Sequence, residues 1–329
     1  MKRPSKEFKE IIPEGEEQLF ESYIATLTTL QKAKSKKFGK GRLLHRKGIM
    51  GLNARLEVLP SLPVYACQGI FAKPSTFPVI IRLSNGGLDV KNDSAPDIRG
   101  FAVKVQKVSG KSVLDGSDQT EQDFLMINHS KFSVARAEDF LDMLVALSKG
   151  PLALFSTMAK RHGFFGMFGA LGNLSKLMGK KFDGFMAETF STAVPVQIGD
   201  YAAKVRIRPL DNEYIQADKS DLSLQVKKHL QQKDITYEMQ LQFFVDEETT
   251  SLEDGSKEWP EEESPFITVA HLIIPQQPTD GAAFDDLQAQ VELLKFDPWN
   301  AITEHKPLGN IMRARKAAYF ASQKTRGVA

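Results

Sequence analysis

Eight short segments are either apolar throughout or alternate apolar and polar residues, and these strand-like patterns most constrain how the chain can fold. Such alternation, bounded by turn residues, is typical of half-buried β-strands. Eight strands suffice to close a barrel. The predicted strands are Ala54–Leu59, Val64–Phe71, Pro78–Ser84, Gly100–Gln106, Asp123–Ile127, Tyr201–Arg208, Tyr237–Val245 and Phe266–Ile274.

Helical periodicity flanks and interrupts the predicted strands. The region 1–40 contains a predicted amphipathic helix, Glu14–Ala33, and a basic connector that follows it. A helical insertion is predicted over 137–191 and further helices over 281–329. We find no repeat of solenoid period and no linker rich in Pro, Gly or Ser, so we predict a single domain over 1–329.

Composition narrows the class of protein. A net charge of +2 gives no strong attraction to nucleic acid, and the one cysteine, Cys67, excludes an internal disulfide framework. The N-terminal segment contains acids and lacks a signal-peptide core, so we predict a cytoplasmic protein. The apolar stretch Gly163–Met178 is too short to span a bilayer. It suits either a peripheral membrane contact or a buried connecting segment.

A basic helix near the end of the chain contains one polar stripe. In the segment RARKAAYFASQKTR, spacings of four, three and four residues place Arg315, Tyr319, Ser322 and Arg326 on nearly one face. By itself this pattern also suits a tyrosine that simply packs with its hydroxyl hydrogen-bonded.

Two further motifs precede this helix. In RLLHRKG, His45 follows Arg42 by three residues, and in IIRLSNGG, period two places Arg82 and Ser84 on the same face of a strand. In DIRGFAVKV, Gly100 allows a bulky group to approach the backbone closely.

These motifs and the late Arg-x-x-x-Tyr occur in the order typical of haem catalases. The sequence resembles a short, core-only catalase-related peroxidase and, within the same superfamily, the allene oxide synthase branch. The resemblance implies an α+β fold, with an antiparallel eight-stranded β-barrel and surrounding helices. It also implies haem b, with its iron, as the cofactor.

The resemblance also implies a role for each residue of the stripe except Ser322. Tyr319 matches the proximal ligand whose phenolate binds haem iron, and Arg315 matches the arginine that keeps that phenol ionised. Arg42, Arg82 and Arg326 match arginines that pair with haem propionates through two hydrogen bonds each.

On the distal side, His45 matches the acid–base histidine and Ser84 the serine that fixes its ring. The stretch DFLMINHSKF resembles the segment that carries a distal asparagine. An ungapped match places Ile127 there and a one-residue gap places Asn128, which we take as the candidate. Phe140 matches an aromatic residue on the haem face, and it also suits an ordinary core position.

Departures from the family pattern limit the implied function. The wrapping segment and extra C-terminal material of full-length catalases are missing, so their NADPH site and interlocked tetramer are not expected, although an oligomer remains open. Leu44 and Gln323 replace residues common in the family. We predict a haem peroxidase with some catalase activity, acting on hydrogen peroxide or organic hydroperoxides with an unknown reductant. The alternatives are a fatty-acid hydroperoxide isomerase or lyase, and a non-enzymatic haem- or lipid-binding protein.

Overall fold

The computed structural model describes residues 2–211, 215, 218 and 220–328, apart from the side chains of 162, 164, 165, 170, 171, 173 and 174. The helices are α1 (Glu16–Phe38), α2 (Ala137–Lys149), α3 (Pro151–Met178), α4 (Ser223–Leu230), α5 (Gly281–Leu293) and α6 (Asn310–Arg326). The strands are β1 (Gly48–Val58), β2 (Thr76–Asn85), β3 (Arg99–Lys111), β4 (Asp118–Ile127), β5 (Phe190–Ser191), β6 (Val196–Ile198), β7 (Tyr201–Pro209), β8 (Ile235–Phe243) and β9 (Phe266–Ile274).

Eight of these strands close into an antiparallel barrel, as the sequence predicts. Each strand pairs with the next in the order β1-β2-β3-β4-β5-β7-β8-β9, and β9 pairs back with β1. The short strand β6 forms a hairpin with β7 outside this ring. The seam at β5 has one paired position with β4, Ile127 with Ser191, and two with β7.

Alternation along the strands fills the barrel. On β3 the side chains of Phe101, Val103 and Val105 are fully buried, and the equivalent alternate positions of β2 and β8 are also apolar and buried. This is the pattern expected where one face of each strand points into a closed barrel. The core is therefore specified by period-two hydrophobicity, which sequence shows directly.

One predicted strand is wrong. Val64–Phe71 forms two 3-10 turns, Val64–Ala66 and Gly69–Phe71, and not a strand. Gly69 has a φ of 55°, and Ile70 donates its N–H to His305 Nε2 at 3.0 Å, so this backbone is committed to a turn. The missing eighth barrel strand is supplied by β5, which is only two residues long.

The N-terminal helix is longer than its apolar pattern predicts. α1 continues through most of the segment predicted as a basic connector and ends at Phe38, before Gly39. Long-chain lysines are good helix formers and find the negative end of the helix dipole in its last turn, so the basic run continues the helix.

The helix α3 presents most of its described positions to solvent. It bends at Gly163, where φ is 70°, and Leu152 is 87% exposed while Met158 and Met167 pack against Met143 of α2. Among the described residues, no helix has both the length and the apolarity needed to cross a membrane. A peripheral membrane contact through 163–178 remains a prediction.

The helix α6 is fixed in position by ion pairs on the side away from its polar stripe. Arg313 binds Glu10, Glu16 and Glu253, with N···O distances of 2.8, 2.5 and 2.9 Å. Asn310 accepts a hydrogen bond from the backbone N–H of Ala137 at 2.7 Å. These contacts orient α6 so that Tyr319 faces a cavity beside the barrel.

Candidate functional site

A cavity of about 470 Å³ lies between the barrel, α1, α2 and α6. Its volume is within the range of roughly 300–1,000 Å³ usual for cofactor and ligand sites. We call this cavity the site cavity. Most of its wall is apolar, and the polar groups discussed below come from the segment before β1, from β2 and from α6. The residues from the sequence motifs that line the site cavity are Arg42, His45, Arg82, Ser84, Gly100, Phe140, Arg315, Tyr319, Ser322 and Arg326.

One wall of the site cavity is the polar stripe of α6. Its four members, which the sequence places on one helical face, all line the cavity. Arg315 Nη2 donates a hydrogen bond to Tyr319 Oη at 3.0 Å, and the guanidinium also lies 5.1 Å from the centre of the tyrosine ring. The Arg315 guanidinium therefore contacts both the oxygen and the ring of the tyrosine.

Another wall presents His45 and Ser84. Nδ1 of His45 is 3.0 Å from Oγ of Ser84. His45 has a φ of 51°, in the left-handed region, which costs about 1–3 kcal/mol for a residue other than glycine. Two hydrogen bonds hold this conformation: the His45 N–H donates to Gly86 O and Arg82 Nη2 donates to His45 O, both at 3.0 Å. The imidazole is thus fixed from both its ring and its backbone.

Gly100 leaves the space that this pair occupies. A Cβ atom at Gly100 would lie 2.4 Å from Nδ1 of His45 and 2.6 Å from Oγ of Ser84. The close approach predicted at this glycine is therefore made by the histidine and the serine. β3 carries no side chain here because the His45–Ser84 hydrogen bond crosses its backbone.

We expect Gly100→Ala to displace the imidazole and to lower the free energy of unfolding by about 1–3 kcal/mol, the usual range for overpacking. Gly169→Ala is the matched control, because no atom of the described side chains or backbone lies within 4 Å of a Cβ at that position of α3. Thermal melts of both variants test this. Equal melting temperatures for the two would contradict the crowding at Gly100.

The His45 ring is neutral at ordinary pH. Burial, followed by the positive charges of Arg82, Arg315 and Arg42, lowers the pKa of His45 to about 3. The His45 side chain is half-buried, because one side of it faces the site cavity. A neutral imidazole can accept a proton at one ring nitrogen while the other is hydrogen-bonded.

The three predicted carboxylate-binding arginines meet at one edge of the site cavity. Their shared partner is Glu292 at the end of α5, a residue that sequence reasoning missed. Glu292 accepts from Arg82 Nε at 2.7 Å and from Arg42 Nη1 at 2.8 Å, and its backbone oxygen accepts from Arg326 Nη2 at 3.0 Å. Burial raises the pKa of Glu292, but the guanidinium groups of Arg82 and Arg42 outweigh this and lower it overall.

Phe140 and Asn128 have different locations. Phe140 of α2 lines the site cavity, with its ring 6.1 Å from that of Phe132. Asn128 does not line it, because Ile127 takes that place and the next residue along a strand points to the other face. The Asn128 side chain lines a second cavity of about 620 Å³ on the far side of β4. The structure therefore brings together eight of the nine predicted residues.

Gln323 and Phe296 also line the site cavity. Gln323 Nε2 donates to Asp297 Oδ2 at 2.5 Å, which ties α6 to the segment after α5. Phe296 lies 5.9 Å from the Arg42 guanidinium carbon, measured to the ring centre. No local sequence motif marks Phe296 as a site residue. Its sequence shows only that it lies between two predicted helices.

The polar groups of the site cavity fit haem b. A phenol paired with a guanidinium can ligate haem iron from one side, and catalases use tyrosine in this way. Three arginines at one edge suit two carboxylates. Among the described residues, Arg42 Nε and Arg82 Nη1 donate no hydrogen bond, so both remain able to donate to a haem carboxylate.

Comparisons with known proteins agree with this architecture. No protein-family model and no curated protein sequence matches the chain. Solved structures do. A bacterial catalase superposes with a TM-score of 0.64 at 16% identity, covering 90% of this chain and 59% of its own. A fungal catalase gives 0.67 at 14% identity, covering 100% and 66%. Catalase A from Saccharomyces cerevisiae gives 0.66 at 15% identity, covering 99% and 67%.

The chain thus spans 59–67% of the length of these catalases. Identities of 14–16% establish a shared fold, while activity depends on the residues of the site. The closed antiparallel barrel and its enclosing helices are matched over 90% or more of this chain. The chain therefore has the catalase-like fold.

Proposed function

We propose that the chain is a haem-dependent peroxidase with some catalase activity, acting on hydrogen peroxide or organic hydroperoxides. One observation carries the proposal: the Tyr319–Arg315 pair and the His45–Ser84 pair line the same cavity. A tyrosine activated by arginine suits ferric iron, and a fixed neutral imidazole suits proton transfer.

In the proposed arrangement, Tyr319 would ligate the haem iron, and Arg42, Arg82 and Arg326 would bind the two haem carboxylates. Arg315 would hold the ligating oxygen of Tyr319 in place through its 3.0 Å hydrogen bond. When bound, the haem supplies the redox chemistry that cleaves a peroxide bond. The protein fixes the orientation of the cofactor and excludes bulk water with its apolar walls.

His45 supplies the proton transfer. With Nδ1–H donating to Ser84 Oγ, the lone pair on Nε2 is free to accept a proton from one peroxide oxygen and to return it to the other. The oxygen that receives the proton would leave as water from hydrogen peroxide, or as an alcohol from an organic hydroperoxide, with the bound haem supplying the two electrons and taking the other oxygen. Ser84 holds the ring plane through the contact between its Oγ and Nδ1.

The lining of the site cavity favours organic hydroperoxides as a second candidate substrate class. Ile127, which the ungapped match places at the distal asparagine of the family, lines this wall with an apolar side chain. Leucines of α2 and the last turn of α3 extend the apolar surface away from His45, namely Leu141, Leu144, Leu147 and Leu177. Fatty-acid hydroperoxide isomerisation or cleavage on the same haem is the corresponding alternative reaction.

The visible spectrum of the protein loaded with hemin, before and after peroxide, tests the proposal. We expect a high-spin, tyrosinate-type spectrum that changes on adding peroxide and returns when a reductant is added. Oxygen release indicates catalase turnover, whereas conversion of a lipid hydroperoxide without a reductant indicates the isomerase or lyase. A protein that binds hemin but leaves all these peroxides intact would be a haem-binding protein without this enzymatic activity. A protein that takes up no hemin would overturn the proposal.

A further inference from the structure

The arginine edge of the site cavity already contains a carboxylate from the chain itself. Glu292 bridges Arg42 and Arg82 through its two oxygens, at 2.8 and 2.7 Å. Arg82 contributes two donors, since its Nη2 lies 3.3 Å from the second oxygen. This is the two-donor edge with which a guanidinium binds carboxylates most specifically.

The backbone around the Glu292 carboxylate leaves the space that it occupies. A Cβ at Gly48 would lie 2.4 Å from Glu292 Oε1, so the start of β1 needs a glycine to admit it. Two neighbours on α5 fix the helix against β1. Val291 covers Gly51 so closely that a Cβ there would be 2.8 Å from it, and Gln288 Oε1 accepts from the Gly51 N–H at 2.6 Å.

The Glu292 side chain nevertheless remains able to leave. It is 47% exposed, whereas Arg82 is only 3% exposed, so the carboxylate can swing into solvent without being buried elsewhere. A half-exposed ion pair contributes little net stability, about 0–1 kcal/mol. The buried arginines, by contrast, stay in the edge and need a counter-charge at all times.

We propose that Glu292 is an internal substitute for one haem carboxylate. In the haem-free chain it neutralises and orders Arg42 and Arg82, and it gives up the two-donor edge of Arg82 when a carboxylate of the cofactor binds. This inference rests on the proposed function, because the displacing group is a haem carboxylate. It makes Glu292 a positioning residue whose removal acts on cofactor uptake.

Hemin titrations followed by absorbance test the competition. Removing the internal competitor in Glu292→Gln should tighten hemin binding by up to about fivefold, the factor that corresponds to a weak ion pair. Asp286→Asn is the matched control, since it removes the same charge from an exposed position of α5. It should bind hemin as the wild type does. With hemin dimethyl ester, which has no free carboxylate, the advantage of Glu292→Gln should vanish.

Two further measurements keep the result interpretable. The haem-free Glu292→Gln protein should melt at a lower temperature than Asp286→Asn, because the buried arginines lose their counter-charge. Gly48→Ala fills the position of Glu292 Oε1 and should weaken hemin binding, because a haem carboxylate at the same edge of Arg82 would meet the same Cβ. If hemin binds but Glu292→Gln binds it no more tightly than the wild type, Glu292 is not a competitor and only this inference fails. If the wild type binds no hemin, the proposed function fails and the inference fails with it.

Discussion

Replacing Tyr319 with Phe should remove the tyrosinate-type spectrum and weaken hemin binding by about a hundredfold or more. Changes to residues that merely support a metal ligand already cost roughly 10–100-fold, so loss of the ligand itself should cost at least as much. The ring and its packing are retained in this variant. Only the oxygen that Arg315 contacts at 3.0 Å is lost. Absorbance titration with hemin measures both effects.

Tyr65→Phe is the control for this experiment. Tyr65 packs against Tyr201 and Phe243, and it does not line the site cavity. Its hemin affinity and spectrum should match those of the wild type. An unchanged spectrum in Tyr319→Phe would show that another residue ligates the iron and would refute the assignment.

Replacing His45 with Ala should slow peroxide turnover by about 10²–10⁴-fold, the usual contribution of a positioned general acid–base group. Hemin should still bind, because the predicted ligand and the carboxylate-binding arginines are on other parts of the wall. His271→Ala is the matched control, since His271 is on β9 outside the site cavity. A variant that loses hemin together with turnover would indicate a structural role for His45.

The pH profile provides a second readout for the same residue. His45 acts as a base only when neutral, and its pKa is lowered to about 3 by burial and three arginines. The kcat/KM for the peroxide should therefore be flat from about pH 5 to pH 8, and it should fall only as the pH approaches the pKa of His45. An ionisation near pH 6.5 that disappears in His45→Ala would mean that the imidazole is more solvated than its surroundings suggest.

Period-two hydrophobicity predicts most of the barrel, and it fails where the ladder is short or the backbone turns. β5 has only two residues and β6 three, too few for any alternation to be recognised. Val64–Phe71 is a mostly apolar run in sequence but folds into two turns, Val64–Ala66 and Gly69–Phe71. The start of β1 was missed because Gly48 and Gly51 are typical strand breakers. Both are required by the approach of α5, a contact made more than two hundred positions later.

The placement of side chains around the site cavity follows from sequence where local spacing determines geometry. The stripe from Arg315 to Arg326 follows from helical period alone, and Arg82 with Ser84 follows from strand period. Asn128 shows the limit of this reasoning, because a shift of one residue moves a side chain to the opposite face of a strand. Glu292 could not be predicted, since its meeting with Arg42 and Arg82 is purely tertiary.

The narrow seam of the barrel places two chambers back to back. Ile127 and Thr192 line the site cavity, while Asn128 and Ser191 line the larger cavity of about 620 Å³. Across this seam β4 and β5 share a single paired position, Ile127 with Ser191. Short ladders open locally at far lower cost than long ones. The wall between the two cavities is therefore the part of the barrel where local opening costs least.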